Sequence, residues 1–299
     1  MTYLFLPWLI RSLHGTPAMG KDLNKAGRPL VPEMGGLGVI LGFYVGVSVF
    51  IALAADSFSG AALYAALTAV LGAGVVGLID DMFGLRQRYK ALLPFILALP
   101  LGAVTYSAGD VTLLGLNLGV LTIVVIPLGV TSAANAANML EGFNGLGAGM
   151  GVIMALAIIG LGFVRGQDIG WVLAFPLLGA LLAFLAFNKF PARVFPGDSM
   201  TLFMGAAIAA AAIVAQEKTL GALLFIPMIA EFGLKLRGRF QGENYGNPNP
   251  DGRLVYEGPT ESLTHVLMKW KSLKEWQVVG TLWGVEAVVA IVVVAAAGR

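Results

Sequence analysis

The sequence predicts an all-α integral membrane protein of about ten transmembrane helices, built as one transmembrane domain over residues 1–299. Three observations carry this expectation. Hydrophobic residues make up 58% of the chain and charged residues only 12%, about half the share found in an ordinary soluble domain. The apolar residues fall into nine separate runs, each near the length that crosses a bilayer core of roughly 30 Å. The connections between these runs alternate between polar and charge-poor, as they must if consecutive spans reverse direction.

The same composition excludes other classes. A soluble globule of this size would lack the charge to cover its surface. Disorder needs low hydrophobicity with high net charge. No alternating β-barrel pattern, internal repeat or low-complexity tract is visible, which leaves helices, because lipid offers no partner to unpaired backbone groups. The absence of cysteine rules out disulfides and thiolate metal sites. A net charge of +2 gives no reason to expect a nucleic-acid partner.

In chain order, spans are expected at about 34–55, 61–79, 91–106, 117–134, 145–164, 171–187, 200–215, 219–236 and 277–297. Thr2 to Leu13 is a tenth segment; it is short and contains Arg11, so it crosses only with tilt or local thinning of the bilayer. No Ala-x-Ala site follows it, so it does not read as a cleaved signal peptide. The polar connections are 14–33, 80–90, 135–144, 188–199 and 237–276, and alternation puts all five on one side. That side carries 16 of the 19 Lys and Arg; only Arg165, Lys218 and Arg299 fall opposite. By the positive-inside rule the five loops face the cytoplasm. A tag on the C-terminus is therefore expected to face away from it, as protease or label accessibility in sealed vesicles would report.

The few charged and amide residues at these span ends are the candidates for chemistry. Asp80 and Asp81 close an apolar run, and two adjacent carboxylates at a membrane boundary repel each other unless a cation or proton relieves them. Arg86, Arg88 and Lys90 follow within ten residues, a grouping suited to a phosphorylated ligand, although positive-inside charge alone also accounts for each arginine. Asn135 and Asn138 share a helix face, and amide oxygens can complete the shell of a hard cation such as Mg²⁺. Gly142, with its neighbouring glycines, lets backbone approach a ligand closely; Asn144 stands among them, and helix capping is the plainer reading of a single Asn. Glu141 reads equally as a ligand or as a solvated loop acid. Asp198, in Phe195-Pro196-Gly197-Asp198, is placed to cap the next helix without excluding a metal on its free oxygen. Lys21, Asp22, Asn24, Lys25 and Glu33 crowd polar groups beside a Gly-rich span start, as a solvated loop also would. In the last polar loop Arg237 and Arg239 are strong phosphate donors, and His265 is one of two histidines, with His14.

These motifs together resemble those of the polyprenyl-phosphate N-acetylhexosamine-1-phosphate transferases, and most closely the archaeal and eukaryotic dolichyl-phosphate GlcNAc-1-phosphate transferases. The likeness runs colinearly through nearly the whole chain: Gly20-Lys-Asp-Leu-Asn-Lys25 with Pro32-Glu33; Asp80-Asp81 with Leu85, Arg86 and Lys90; Asn135-Ala-Ala-Asn138 with Gly142 and Asn144-Gly-Leu146; Arg193-Val-Phe-Pro-Gly-Asp198. The resemblance implies ten transmembrane helices, a cytosolic active site, dependence on Mg²⁺ with Mn²⁺ as an alternative, and often a homodimer. It implies that a UDP-N-acetylhexosamine and a polyprenyl or dolichyl phosphate give a lipid diphosphosugar and UMP. By motif position, Asn138 and Asp198 would hold the metal. Asp80 and Asp81 would lie beside the reacting phosphates. Lys90 and an arginine of the last loop would bind the diphosphate, and Phe195, Gly142 and Asn144 would form the uridine pocket. Members acting on nucleotide-linked muramyl peptide carry a histidine cluster in the last cytosolic loop; this chain has only His265 there.

Two other classes compare poorly. Secondary transporters place acids near the bilayer midplane, often with internal repeats; here the acids lie at span ends and no repeat is visible. The spaced Asp-Gly-Ala-Arg pattern of CDP-alcohol phosphatidyltransferases is absent. Lack of cysteine and short outer loops suit a prokaryotic, archaeal-like cell membrane.

Overall fold

A computed structural model describes residues 1–53, 60–109 and 111–298. Its helices are α1 (Thr2–Leu13), α2 (Gly36–Leu53), α3 (Ala61–Phe83), α4 (Gln87–Ser107), α5 (Thr122–Leu140), α6 (Leu146–Arg165), α7 (Trp171–Asn188), α8 (Gly197–Val214), α9 (Lys218–Leu223), α10 (Ile226–Arg237), α11 (Leu263–Trp270) and α12 (Glu275–Ala297). Most of the expected 56–60 connection, the last residues of the 34–55 run, Asp110 and Arg299 lie outside the described residues.

Eight of these helices, among the described residues, are long and apolar enough to cross a membrane: α2 to α8 and α12. The protein is thus an all-α integral membrane protein, with two departures from ten uninterrupted spans. Helix α1 has 12 residues and packs on the start of α2 and on α7; the Thr2 hydroxyl donates to the Gly38 carbonyl at 2.9 Å. The 219–236 run is broken into α9 and α10. Leu224 and Phe225 turn their N–H groups to the carbonyls of Gly221 and Ala222, and Pro227 opens the next helix, where its missing N–H costs nothing. Apolar length alone could not reveal this break.

Helix α8 is the centre of the bundle. From Ser199 to Val214 every residue except Ala209 is buried, and α2, α3, α5, α6, α7 and α9 all pack on it. Small residues make this packing close, as is common between membrane helices. A methyl on Gly77 of α3 would sit 2.3 Å from the Asp198 carbonyl oxygen, and one on Gly205 would sit 2.3 Å from that of Ala133 in α5. The first contact fixes the polar end of α3 against the start of α8, which is where the candidate carboxylates lie.

Residues of the five polar loops bond to one another, Lys90 to Asp198, Asn24 to Gly142 and Gly246, and Asn144 to Lys25 and Ala192. The loops contain short pairings that the sequence did not announce. Strand β1 (Met19–Lys21) pairs antiparallel with β2 (Leu30–Pro32) in the first loop. Asn247–Pro248, Arg253–Val255 and Leu273–Lys274 form a three-stranded sheet in the last. In the charge-poor connections Arg165 pairs with Glu217 at 3.3 Å, and the Leu114 N–H donates to Thr219.

Candidate active site

Asp80 and Asp81 are neighbours on α3 and therefore point about 100° apart. Each has a different partner. Asp81 faces α8, whose first N–H groups have no partner within their own helix. One carboxylate oxygen accepts from the Asp198 N–H at 2.6 Å and the other from the Ser199 N–H at 3.1 Å. The negative charge also complements the positive end of the helix dipole. Gly197 makes room for this: its φ is +68°, and a side chain there would collide with the Asp81 carboxylate. Asp81 is thus a cap supplied from another helix.

Asp80 faces the turn into α4. One of its oxygens accepts from the Leu85 N–H at 2.6 Å, and the other lies 2.5 Å from the Lys90 ammonium. Lys90 also pairs with the Asp198 carboxylate, so its ammonium bridges α3 and α8 from α4. Asn135 of α5 donates to the Lys90 carbonyl at 3.3 Å and to Thr131 at 2.9 Å. One helical turn on, the side-chain nitrogen of Asn138 is buried and has no hydrogen-bond partner among the described residues.

Asp81→Asn should lower the melting temperature of the purified protein, because an amide places one N–H₂ against the N–H groups of α8. It should also reduce turnover by shifting Asp198. Activity lost with an unchanged melting temperature would show instead that Asp81 acts on substrate directly.

The loops above this cluster are cross-tied by the first-loop residues. Lys25 bonds Asp22, Asn144 at 3.1 Å and Glu275 at 3.2 Å. The Asn144 amide accepts from the Ala192 N–H at 2.6 Å and donates to Asp22 at 3.1 Å, while its backbone N–H reaches Glu275 at 2.8 Å. Asn24 donates to the Gly142 carbonyl and accepts from the Gly246 N–H. Four polar loops and the start of α12 are thereby joined through three side chains.

Two cavities open into this assembly. One, of about 220 Å³, is polar; its lining includes Lys21, Asp22, Glu33, Asn138, Asn144 and Asp198. The other, of about 1070 Å³, is mostly apolar. It runs from Gln87, Lys90 and Asn135 along α5, α8, α9 and α10 to Leu113 and Lys218 near the opposite end of the bundle. Asn138, Glu141 and Tyr245 line both, so the cavities share one wall. Burial pushes the Glu141 carboxyl up to about 7, against the lowering effect of the Gly142 and Gly147 N–H groups. Glu33 is raised too, by burial and then by the charge of Asp81.

Of the residues singled out in the sequence, Lys21, Asp22, Glu33, Asn138, Gly142, Asn144, Phe195 and Asp198 line the polar cavity. Lys90, Asn135 and Asn138 line the apolar one. Asn24 and Lys25 brace the loops from behind. Asp80 and Asp81 line neither cavity; they sit one layer back and hold Lys90 and α8. Arg86, Arg237 and Arg239 are exposed and line neither, Arg237 bonding the Thr260 carbonyl. His265 is fully buried, takes the Glu261 N–H on Nδ1 and stacks on Tyr256 with ring centroids 3.5 Å apart. Sequence reasoning missed Tyr245, Lys235 and Asn188, which line the cavities, and Glu275, which ties the loops. The polar character of their segments could have signalled Tyr245, Asn188 and Glu275, whereas Lys235 lies in α10, inside an expected span.

Two cavities of opposite polarity with a common wall are the arrangement needed by an enzyme that joins a water-soluble substrate to a lipid. Comparison with known proteins places the chain in that class: residues 63–216 match the model for glycosyl transferase family 4, and the chain belongs to this family. It is 41% identical, over 98% of its length and 92% of the relative's, to a Saccharolobus solfataricus protein assigned as a UDP-N-acetylglucosamine–dolichyl-phosphate N-acetylglucosaminephosphotransferase. It is 30% identical, over 97% of its length and 91% of the relative's, to the phospho-N-acetylmuramoyl-pentapeptide-transferase of Shouchella clausii. The Schizosaccharomyces pombe UDP-N-acetylglucosamine–dolichyl-phosphate N-acetylglucosaminephosphotransferase is 27% identical over 79% of this chain and 64% of its own length.

Proposed function

We propose that this protein transfers N-acetylglucosamine 1-phosphate from UDP-N-acetylglucosamine to a dolichyl-type polyprenyl phosphate, at the cytosolic face of the membrane. The observation that carries this is the shared wall of Asn138, Glu141 and Tyr245, with Asp198 lining the polar cavity and Lys90 the apolar one. The polar cavity suits a nucleotide sugar, and the apolar one suits an isoprenoid chain lying in the membrane with its phosphate at the mouth. The 16 cations on the loop side support the cytosolic placement.

The reaction is a displacement at phosphorus. An oxygen of the lipid phosphate attacks the sugar-linked phosphorus of the UDP-sugar, the bond to the bridging oxygen breaks, and UMP leaves with that oxygen. A phosphomonoester has a second pKa of about 6 and is mostly dianionic at neutral pH, so it needs little help from a base. Lys90 supplies positive charge where the lipid phosphate enters. Asp80 holds the lysine in place and Asp81 holds Asp198. A covalent aspartyl intermediate is the rival route. The partners of Asp80 and Asp81 favour direct attack, since both Asp81 oxygens are occupied by α8 and neither residue lines a cavity.

The residues fit a hard divalent cation. Asp198 contributes a carboxylate to the lining of the polar cavity and Asn138 an amide, whose oxygen is the atom that would ligate. Mg²⁺ usually takes one or two protein oxygens and completes its shell with water and substrate phosphates. Bound to Asp198 and Asn138, Mg²⁺ would neutralise charge on the diphosphate and the departing UMP.

The choice of sugar rests on the relatives' names together with the absence of a histidine cluster from the last loop, whose one histidine is buried away from both cavities. The test is purified protein with polyprenyl phosphate and a panel of UDP-sugars, with and without Mg²⁺. We expect UMP release that requires both lipid and metal and is fastest with UDP-N-acetylglucosamine. Release without lipid would count against direct attack, and a preference for another UDP-sugar would overturn the sugar assignment.

A further inference from the structure

Tyr245 lies in the last polar loop, outside every motif that the sequence offered, yet it lines both cavities. Its neighbours are fixed on both sides. The Asn244 amide donates to the Glu141 carbonyl at 2.6 Å and the Met139 carbonyl at 2.9 Å, which pins the loop to the end of α5. The Thr264 hydroxyl holds the Asn244 carbonyl at 2.7 Å. On the other side, the Gly246 N–H donates to Asn24 of the first loop at 3.1 Å. The ring packs beside Gly142, where a methyl would sit 3.4 Å from its edge. Gly142 has a φ of +151° and no side chain, so the aromatic ring, not a neighbouring chain, occupies this part of the wall.

The phenol oxygen has no hydrogen-bond partner within the protein among the described residues, although the residues flanking it are held by four bonds. The charged groups that act on it most strongly are acids: Glu141, Glu243, Glu33 and Asp22. A tyrosine in such surroundings stays protonated and offers an O–H donor. The common wall therefore holds two unspent polar groups, the Asn138 amide and this hydroxyl. A tyrosine present only to fill space would need no hydroxyl there.

We propose that Tyr245 is a catalytic residue of this reaction, donating a hydrogen bond to a non-bridging oxygen of the phosphate that passes from the nucleotide to the lipid. No proton leaves the phenol; the O–H stabilises charge on the phosphate while it spans the two cavities. This inference rests on the proposed transfer reaction and adds to it a residue supplied by the last loop.

The test compares wild type with Tyr245→Phe, using UDP-N-acetylglucosamine, polyprenyl phosphate and Mg²⁺. The substitution keeps the ring and its contact with Gly142. A hydrogen bond to a charged group that strengthens in the transition state gives an expected fall in kcat of about 10- to 100-fold. KM for each substrate should stay within about threefold and the melting temperature should not change. A kcat within twofold of wild type overturns the proposal, as does a loss that appears only with a lowered melting temperature. If the wild type itself shows no lipid-dependent release of UMP, the transfer reaction is wrong and this role falls with it.

Discussion

Asp198→Asn should reduce turnover by about 10³-fold or more while leaving the bundle folded. Aspartate at a helix start is usually a cap, and loss of a cap costs about 1 kcal/mol. Here that role is taken: Asp81 caps α8 through the backbone N–H groups of Asp198 and Ser199, which the substitution retains. No side-chain cap is supplied from within α8. The Asp198 carboxylate is left to pair with Lys90 and to line the polar cavity. Asparagine keeps the size and removes the charge needed by a divalent cation. The measurements are UMP release and thermal unfolding on the same preparation. Near-normal turnover would refute the role, and a fall in melting temperature as large as that of Asp81→Asn would make Asp198 structural.

Lys90→Met is expected to damage both activity and stability. The ammonium bridges Asp80 and Asp198, and its removal leaves two carboxylates facing each other without a cation. Truncating one partner of a buried ion pair costs about 3–5 kcal/mol, and less here because Asp198 reaches an open cavity. Turnover should fall by about 10²- to 10³-fold, since the lysine also lines the groove assigned to the lipid phosphate. The double variant Lys90→Met with Asp80→Asn separates the two effects. It removes one of the stranded charges and should recover much of the melting temperature without recovering turnover. Recovery of both would show that Lys90 only neutralises its neighbours. Lys90→Arg should not restore function, because a planar guanidinium cannot replace a compact ammonium between two carboxylates.

Much of this architecture was legible in the chain. Hydropathy fixed α2 to α8 and α12, because a spanning helix must be apolar along its length whatever it packs against. Asn24, Lys25 and Asn144 tie four of the five polar loops to one another, and the 80–90 loop joins them through the Lys90–Asp198 pair. The break between α9 and α10 was hidden, since both halves are apolar and one proline near a helix start leaves no mark on a hydropathy average. The paired strands of the loops were hidden too, being two or three residues long.

The candidate site divides in the same way. The sequence marked Asp80, Asp81, Lys90, Asn138 and Asp198, because charges and amides at membrane boundaries are scarce enough to stand out. It could not distribute their work. Adjacent aspartates look alike in a string, and only the rotation of α3 against α8 and α4 turns Asp81 into a cap and Asp80 into the partner of Lys90. Likewise, Arg237 and Arg239 carry the charge expected of phosphate donors but face outward, while Tyr245, marked by no motif, stands where the cavities meet. Composition and periodicity determine which segments enter the membrane and on which side the charges collect, since both follow from transfer between water and lipid. Which side chain meets which substrate follows from helix rotation and loop contacts between residues more than a hundred positions apart, and only the tertiary structure decides that.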